Sequence, residues 1–341
     1  MWKNLFRAIT LLVLSHALVI AQDRAQDRAQ DRTQDRAQDR AQGRAQDVGP
    51  ARGSLVIVGG AMKDTAIMAR FIELAGGPEA PIVIIPSAGA ADYYDGDYPG
   101  TRRWRELGTK SITVVHTRDR DEADSLAFVE PIRKARGVWF PGGRQWRLAE
   151  TYLDTRTEQE LHKVLERGGV IGGSSAGASI QGSYLVRGDT KTNTIMMGDH
   201  EEGFSFLEDV AIDQHLLARN RHFDLIPLIE KCPHLLGIGI AEDTAIVVHG
   251  NEFEVIGQSV VAIYDYRKTV AGEGRFYFLR PGDSFDMKER RAKRRAVSLE
   301  PFNVLTEQVW PERDSRSASS YRASRSHELC GSTLSAQQAL P

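Results

Sequence analysis

Short apolar runs rich in β-branched residues alternate with longer helical patterns through the middle of the chain. This alternation predicts an α/β fold, in which helices flank a mostly parallel sheet. Strands are predicted at Ser54–Gly59, Pro81–Pro86, Ser111–His116, Gly137–Pro141, Gly168–Gly172, Gly237–Ile240, Ala245–His249 and Glu252–Ile256. Helices are predicted at Asp64–Ala75, Tyr98–Leu107, Leu126–Ala135, Arg147–Arg167 and Ala176–Tyr184.

The first residues predict export from the cytoplasm. Lys3 and Arg7 precede the apolar run Ala8–Ile20, a pattern typical of a secretory signal peptide over residues 1–21. An uncleaved N-terminal anchor is the alternative. No other apolar run approaches the roughly 18 residues that a spanning helix needs. We therefore expect no membrane span after signal cleavage, and a mature protein in the periplasm or outside the cell.

Two further segments are poor in apolar residues. Residues 22–52 largely repeat Ala-Gln-Asp-Arg, which offers no apolar face and predicts a flexible linker. Residues 311–341 are rich in polar residues and predict a disordered tail. One catalytic α/β domain is left at 53–310. Cys232 and Cys330, the only cysteines, either form one disulfide or stay free thiols.

Charge and ligand spacing indicate no nucleic acid, metal or cofactor. The 44 Lys and Arg residues nearly balance the 46 Asp and Glu residues, as in an ordinary globular protein. The basic run Lys288–Arg295 has no aromatic residues within it for stacking on bases. Asp92–Asp97 misses the spacing of a calcium loop and its closing Glu, so it predicts a surface or cleft-edge loop.

The strongest local signal is an apolar strand that runs into a turn of small residues. Gly173–Gly177 matches the pattern Gly-x-Ser-x-Gly, and small residues that can begin a helix follow it. Such a nucleophile elbow holds its central residue, here Ser175, at the apex of a sharp turn. A phosphate-cradling turn is the alternative. The chain lacks Gly-x-x-x-x-Gly-Lys-Ser/Thr, and its first strand lacks Gly-x-Gly-x-x-Gly.

A serine nucleophile needs a base, usually an imidazole, and a carboxylate that orients it. His215 is the most suggestive histidine, since it lies downstream of the serine in a polar cluster, but composition and spacing do not separate it from His200 or His222. Glu242 follows an apolar strand, where its carboxylate could face the site. Asp243 is a rival by the same reasoning.

Four blocks of residues make the chain resemble the cyanophycinase family, peptidase family S51. This group of serine peptidases includes α-aspartyl dipeptidases and has an α/β core like that of class I glutamine amidotransferases. The blocks occur in family order: Phe140–Gln145, Gly172–Ala178, Asp213–His215 with Arg219 and Arg221, and Gly239–Glu242.

The resemblance implies site residues, a substrate and an oligomeric state. It implies a triad of Ser175, His215 and Glu242, a substrate cleft lined by Gln145, Asp213, Arg219 and Arg221, and an oxyanion hole made by the backbone N–H groups of Ala176 and of Gly142 or Gly143. The family substrate is cyanophycin, a poly-aspartate that carries arginine on each side chain and is cut to β-aspartyl-arginine dipeptides. The resemblance also implies a homodimer.

Two departures from the family pattern concern specificity. Arg144 stands where the family has an acid, and the run Arg219–Asp224 lacks a further arginine that is typical of cyanophycinases. A serine dipeptidase for other aspartyl or isoaspartyl peptides is therefore the rival enzyme. A non-catalytic peptide-binding module on the same fold is the rival of another class. A cysteine-dependent amidotransferase is disfavoured, because Cys232 lies far from any strand-to-helix turn.

Overall fold

The computed structural model of the protein describes residues 47–267 and 275–295. The predicted signal peptide (1–21) and the predicted tail (311–341) lie outside these residues, so export and tail disorder stay predictions. Residues 296–310, assigned above to the catalytic domain, also lie outside them. Among the described residues, no helix combines the length and the apolar character needed to cross a bilayer.

A nine-stranded sheet forms the centre of the described unit. Its strands are β1 (Ser54–Val58), β2 (Ile82–Ile84), β3 (Ile112–Val114), β4 (Gly137–Phe140), β5 (Val170–Ser174), β9 (Thr244–His249), β10 (Glu252–Gly257), β13 (Ser284–Asp286) and β14 (Arg291–Lys293). Their order is β14, β13, β10, β9, β1, β5, β4, β2 and β3. The strands from β1 to β3 in this order pair in parallel, and those from β14 to β9 form an antiparallel extension that joins β1.

A second sheet has five strands in the order β12, β11, β8, β7 and β6. They are β6 (Gly182–Tyr184), β7 (Leu207–Gln214), β8 (Leu236–Ile240), β11 (Val261–Asp265) and β12 (Tyr277–Leu279). The pairs of β7 with β6 and with β8 are parallel, and β11 and β12 continue the sheet antiparallel. This sheet matters for function because β7 leads directly to His215.

Helices cover the sheets. They are α1 (Thr65–Ala75), α2 (Arg102–Glu106), α3 (Arg120–Ala123), α4 (Leu126–Lys134), α5 (Gln145–Tyr152), α6 (Arg156–Glu166), α7 (Ala176–Ser179) and α8 (Leu225–Lys231), with a 3₁₀ turn at Pro99–Thr101. Helix α1 shows why the sequence folds this way locally. The Asp64 side chain accepts a hydrogen bond from Ala66 N, and Gly76 ends the helix in the left-handed conformation.

Most of the apolar runs predicted as strands are buried on both faces, and β3 and β10 are the partly exposed ones. In β1, Leu55 and Ile57 belong to one apolar cluster, and Val56 and Val58 belong to another on the opposite face. This period of two follows from strand geometry. The second cluster is centred on Phe71, whose ring meets two tryptophan rings edge to face at centroid distances of 5.2 and 5.3 Å. The predicted α/β fold is confirmed.

Two predicted helices were wrong in extent. The stretch Arg147–Arg167 is not one helix but the end of α5 followed by α6, because Asp154 adopts a left-handed conformation with φ of 61°. Its backbone N–H donates to Glu158 Oε2 of the next helix at 2.7 Å. The stretch Ala176–Tyr184 is helical only as far as Ser179, after which β6 begins the second sheet. Helical periodicity does not reveal either break, since apolar residues continue at helical spacing across both.

The described unit begins before residue 53. Residues 47–49, which were assigned to the linker, contact Asn251: its Oδ1 accepts a hydrogen bond from Val48 N at 2.7 Å, and its Nδ2 donates to Asp47 Oδ1 at 2.9 Å. Lys288 adds an ion pair with Asp47 at 2.9 Å. This end of the predicted linker is therefore attached to the α/β unit.

Candidate active site

The carboxyl ends of the parallel strands meet at one edge of the large sheet. Ser174, the last residue of β5, pairs with Val58, the last residue of β1, and β4 ends beside them on the other side. Ligands of open α/β sheets bind outside these carboxyl ends. The segments that leave β1, β4 and β5 are therefore the first place to look for a site.

Ser175 lies at the turn between β5 and α7 with φ of 58° and ψ of −111°. A residue other than glycine in such a backbone conformation costs of order 1–3 kcal/mol, and surrounding contacts must hold it there. Ser175 N donates to Val58 O at 3.0 Å, and Ser175 O accepts from Ala178 N at 2.9 Å. This strained apex is the geometry that the Gly-x-Ser-x-Gly pattern predicted.

Gly177, two residues after Ser175, has to be glycine because another backbone segment passes close to it. A Cβ on Gly177 would lie 2.0 Å from Phe140 O, which is far inside contact distance. Any larger residue would push α7 away from β4 and widen the turn at Ser175. The second glycine of the Gly-x-Ser-x-Gly pattern is thus explained by the packing of α7 against the end of β4.

His215 follows the end of β7, in the second sheet, and its Nε2 is 2.9 Å from Ser175 Oγ. Its backbone is also left-handed, with φ of 56°, and its N–H donates to Gly59 O at 2.7 Å. Gly60 leaves space for the ring, since a Cβ there would lie 2.3 Å from His215 Cε1. The loop after β1 therefore determines where the imidazole lies.

Glu242 follows β8 and completes a hydrogen-bonded line. Its Oε1 lies 2.6 Å from His215 Nδ1. With the carboxylate ionised, Nδ1–H donates to Glu242, and this leaves Nε2 as the acceptor for the Ser175 hydroxyl. The three side chains come from loops after β5, β7 and β8, so two different sheets contribute to the site.

The surroundings of His215 favour its neutral form. Burial lowers the pKa of His215, the hydrogen bond that it donates to Glu242 opposes this, and the positive charge of Arg219 lowers the pKa further. The net result is a pKa below that of an ordinary histidine. At neutral pH the imidazole is therefore unprotonated and can accept a proton.

The rival residues have other contacts. Asp243 Oδ1 accepts from Lys63 N at 2.7 Å and Asp64 N at 2.6 Å, so this carboxylate holds the loop before α1. His200 lies against Trp146 and Asp199, and His222 lies against Phe223. Among the candidates that the sequence left open, His215 and Glu242 are the pair that contacts Ser175 in a line.

The three residues assigned to the oxyanion hole surround the serine. A Cβ on Gly142 would lie 3.2 Å from Ser175 Cβ, so the backbone after β4 passes directly over the nucleophile position. Gly143 is the next residue, and Ala176 opens α7. Within the described part of the chain, the backbone N–H groups of Gly142, Gly143 and Ala176 have no acceptor. They are free to donate to a negatively charged oxygen.

Asp213 and Arg221 lie beneath the site in a buried ionic network. The Asp213 side chain is 0% exposed, and Arg187 donates to both of its oxygens at 2.9 and 3.0 Å. Arg187 also contacts Asp224, and Arg221 donates to Gln214 Oε1 at 2.6 Å. The resemblance implies that Asp213 and Arg221 line the substrate cleft, and this stays a prediction. In the structure both side chains are buried, and they contact each other and the segment that carries His215.

The pKa values of the two buried arginines shift in opposite directions. Burial lowers the pKa of Arg187, but hydrogen bonds and charges from Asp213 and Asp224 outweigh burial and raise it. Burial is the largest effect on Arg221 and lowers its pKa to about 10. Arg187 is thus the principal counter-charge of Asp213.

Sequence reasoning missed Arg187. One signal was available, because Asp213 follows the apolar residues of β7 and a buried carboxylate needs a cation. The sequence could not say which of the many arginines supplies it, since Arg187 precedes Asp213 by 26 residues.

Gln145 and Arg219 differ in exposure. Gln145, the first residue of α5, is 1% exposed, and its Nε2 donates to Val186 O at 2.9 Å. Arg219 is exposed, and its backbone N–H donates to His215 O at 3.0 Å. No ion pair involves its guanidinium among residues 47–267 and 275–295. Arg219 therefore remains available to a ligand beside the imidazole.

Metal ligation is not built into this part of the chain. Across the described residues, no three His, Cys, Asp or Glu side chains are grouped so that they could hold a metal ion. Cys232 has no disulfide partner there, and Cys330 lies outside those residues.

Comparisons with known proteins identify the family of this chain. The family model for peptidase family S51 matches residues 55–256. A cyanophycinase of Geminocystis herdmanii is 34% identical over 222 residues, which cover 63% of this chain and 81% of that protein. A cyanophycinase of Synechococcus elongatus is 28% identical over 279 residues, which cover 74% of this chain and 84% of that protein.

A solved structure supports the fold. The crystal structure of a peptidase from an acI-B1 Actinobacterium aligns with a TM-score of 0.51 and 25% identity, and the alignment covers 70% of this chain and 98% of that one. The family match covers β1 to β10 almost completely, and with them the segments that carry Ser175, His215 and Glu242. The chain therefore belongs to peptidase family S51 and is a serine peptidase.

Proposed function

We propose that this peptidase hydrolyses cyanophycin to β-aspartyl-arginine dipeptides with a catalytic triad of Ser175, His215 and Glu242. The observation that carries the mechanism is the line of hydrogen bonds from Ser175 Oγ to His215 Nε2 (2.9 Å) and from His215 Nδ1 to Glu242 Oε1 (2.6 Å). A serine nucleophile, its imidazole base and the carboxylate that orients the base must be hydrogen-bonded in this order.

Acylation would begin with attack of Ser175 Oγ on the scissile carbonyl carbon while His215 Nε2 takes the hydroxyl proton. The carbonyl oxygen becomes an oxyanion that accepts hydrogen bonds from the N–H groups of Ala176 and of Gly142 or Gly143. Loss of one such donor typically lowers kcat about 100- to 1000-fold. Collapse of the intermediate breaks the C–N bond, and His215 gives its proton to the leaving amine.

Deacylation would repeat these steps with water. His215 takes a proton from water as its oxygen attacks the ester carbon, and returns that proton to Ser175 Oγ as the ester bond breaks. Glu242 stays ionised throughout and stabilises the imidazolium that forms twice in the cycle. The lowered pKa of His215 keeps the imidazole ready at neutral pH.

Two observations support a cyanophycin substrate. The two relatives described above carry the name cyanophycinase. The Arg219 guanidinium near His215 has no ion pair within residues 47–267 and 275–295, and it suits a substrate rich in carboxylates, because guanidinium groups bind carboxylates through two parallel hydrogen bonds.

A second candidate function is cleavage of other aspartyl or isoaspartyl dipeptides. It is favoured by Arg144, which places a positive charge where the family pattern has an acid, two residues after Gly142. A non-catalytic binding module is disfavoured, because pure binding gives no reason for Glu242 to contact His215 at 2.6 Å.

The test is release of β-aspartyl-arginine from purified cyanophycin by the purified full chain. We expect release by the parent protein and none by Ser175→Ala, with Ser111→Ala as a matched control, since Ser111 is exposed at the amino end of β3. Cleavage of aspartyl dipeptides without cleavage of cyanophycin would move the specificity to the second candidate. Equal activity of Ser175→Ala and parent would refute the triad.

A further inference from the structure

A short series of backbone contacts connects Arg144 to the proposed nucleophile, Ser175. Gly142 packs over Ser175, and a Cβ on Gly143 would lie 2.0 Å from Ala88 O. Arg144 N donates to the same carbonyl oxygen at 2.8 Å. The segment from Gly142 to Arg144 therefore lies between Ser175 and the loop that follows β2.

Three arginines gather around that loop, and we call Arg118, Arg144 and Arg147 the basic cluster. Arg147 Nη1 and Arg118 Nη2 both donate to Gly89 O, at 2.5 and 2.7 Å. The one ion pair recorded for the cluster, among the residues that the structure covers, joins Arg118 to Asp92 at 3.6 Å, and the Asp92 side chain is fully exposed. Positive charge is thus in excess beside the nucleophile.

The basic cluster also contains hydrogen-bond donors without acceptors. Arg144 Nη1 and Arg147 Nε are buried and have no partner in the described residues, and the same holds for Trp146 Nε1 between them. The Arg147 guanidinium lies 5.3 Å from the centre of the Trp146 ring, and Arg144 is near enough for its charge to act on Arg147. All three atoms donate only, and buried donors are normally satisfied. A matching ligand must therefore supply acceptors.

Electrostatics within the basic cluster favour the same kind of ligand. Burial lowers the pKa of Arg147, and the positive charges of Arg118 and Arg144 lower it further. A bound anion would relieve this mutual repulsion, whereas a cationic group would increase it. The guanidinium of a substrate arginine is therefore excluded from this position.

We propose that Arg144 and Arg147 form a subsite for a carboxylate of the peptide substrate, adjacent to the scissile bond at Ser175. Planar guanidinium groups with two or more free N–H donors suit a carboxylate. In an aspartyl peptide this carboxylate is either the free carboxylate of the aspartyl residue or the one at the C-terminus. The inference deepens the proposed function and rests on it only for the choice of ligands.

The experiment measures binding separately from catalysis. The full chain with Ser175→Ala is titrated by calorimetry with three probes: β-aspartyl-arginine, the same dipeptide with its aspartyl carboxylate amidated, and the same dipeptide with its C-terminal carboxylate amidated. Each titration is repeated with Arg144→Gln added. We expect Arg144→Gln to weaken binding of the unmodified dipeptide about 10- to 100-fold, as loss of charge-assisted hydrogen bonds does.

The amidated probes identify the carboxylate. The probe whose affinity no longer depends on Arg144 lacks the carboxylate that the subsite binds, as in a double-mutant cycle. Arg144→Lys should restore part of the affinity through its charge. Arg52→Gln is the matched control, because Arg52 is exposed before the amino end of β1, and we expect its affinities to equal those of the parent.

Two results would overturn the subsite: affinities that stay within about twofold when Arg144 is replaced, or no binding of any of the three probes. Cyanophycin hydrolysis by the parent enzyme is scored separately. Hydrolysis that is unchanged in Arg144→Gln would contradict the subsite and keep the proposed function. Arg144-dependent binding without cyanophycin hydrolysis would keep the subsite and contradict the proposed function.

Discussion

Four arginines near the candidate active site form two contrasting pairs. Arg187 and Arg221 are buried and contact Asp213, whereas Arg144 and Arg219 have no ion pair among the residues that the structure describes. A buried carboxylate needs nearby cations, so the first pair has a structural reason to exist. Among the described residues, the second pair has no such structural reason.

Arg219 and Arg221 show how closely the two kinds can lie in sequence. They are two residues apart, and the resemblance assigns both to the substrate cleft. Asn220 between them is left-handed, with φ of 54°, and Arg221 turns inward to 6% exposure while Arg219 stays exposed. One strained residue therefore separates a structural guanidinium from one that a ligand can reach.

The largest effect that we expect is the loss of kcat when the proposed triad is changed, and the effects of changing the two arginine pairs are compared with it. Glu242→Gln should lower kcat about 1000- to 10 000-fold, because a glutamine amide can donate to Nδ1 and stabilise the wrong imidazole tautomer. Steady-state kinetics together with urea unfolding will test this. The Glu242 side chain is 36% exposed, so we expect the unfolding midpoint to change little. A kcat within tenfold of the parent value would contradict the role of Glu242.

The next largest effect is on the free energy of unfolding, which should differ between the buried arginine pair and the pair without ion pairs. Arg187→Met should reduce the free energy of unfolding by about 3–5 kcal/mol, because it leaves the Asp213 carboxylate buried without its main partner. Arg219→Met is the matched control, and an exposed substitution should stay within about 0.5 kcal/mol. Urea unfolding at neutral pH measures both variants. Equal losses would remove the distinction between the pairs.

The smallest effect is a shift in pH dependence. A base must be unprotonated to act, so kcat/KM should rise with pH through the pKa of His215, which lies below the ordinary value of about 6.5. Arg219→Gln removes a positive charge that lowers this pKa, so the acid limb should move to higher pH by less than about one unit. Arg219→Lys should leave it in place. A limb that moves to lower pH would contradict the assigned sign.

The local parts of the site were predictable because their chemistry lies in consecutive residues. Gly173–Gly177 predicted the elbow at Ser175, and the strained backbone there agrees with it. The apolar runs predicted the shared strands to within about two residues at each end, because burial on both faces leaves a continuous apolar pattern. The predicted strands omitted β6, β7, β11, β12, β13 and β14. Four of these, β6, β12, β13 and β14, have only three residues each, which is too short for a clear pattern, whereas β7 and β11 are longer and mostly buried and were missed all the same.

The sequence by itself determined the α/β class, the elbow and, through four blocks of resemblance, the order Ser175, His215, Glu242. Composition and spacing left His200 and His222 open beside His215, and the tertiary structure shows, independently of the resemblance, that His215 contacts the serine. Which arginines are paired was decided by the tertiary structure alone. The physical reason is distance along the chain: 40 residues separate Ser175 from His215, and 26 separate Arg187 from Asp213. Contacts of that range depend on how two sheets pack, which no local pattern encodes.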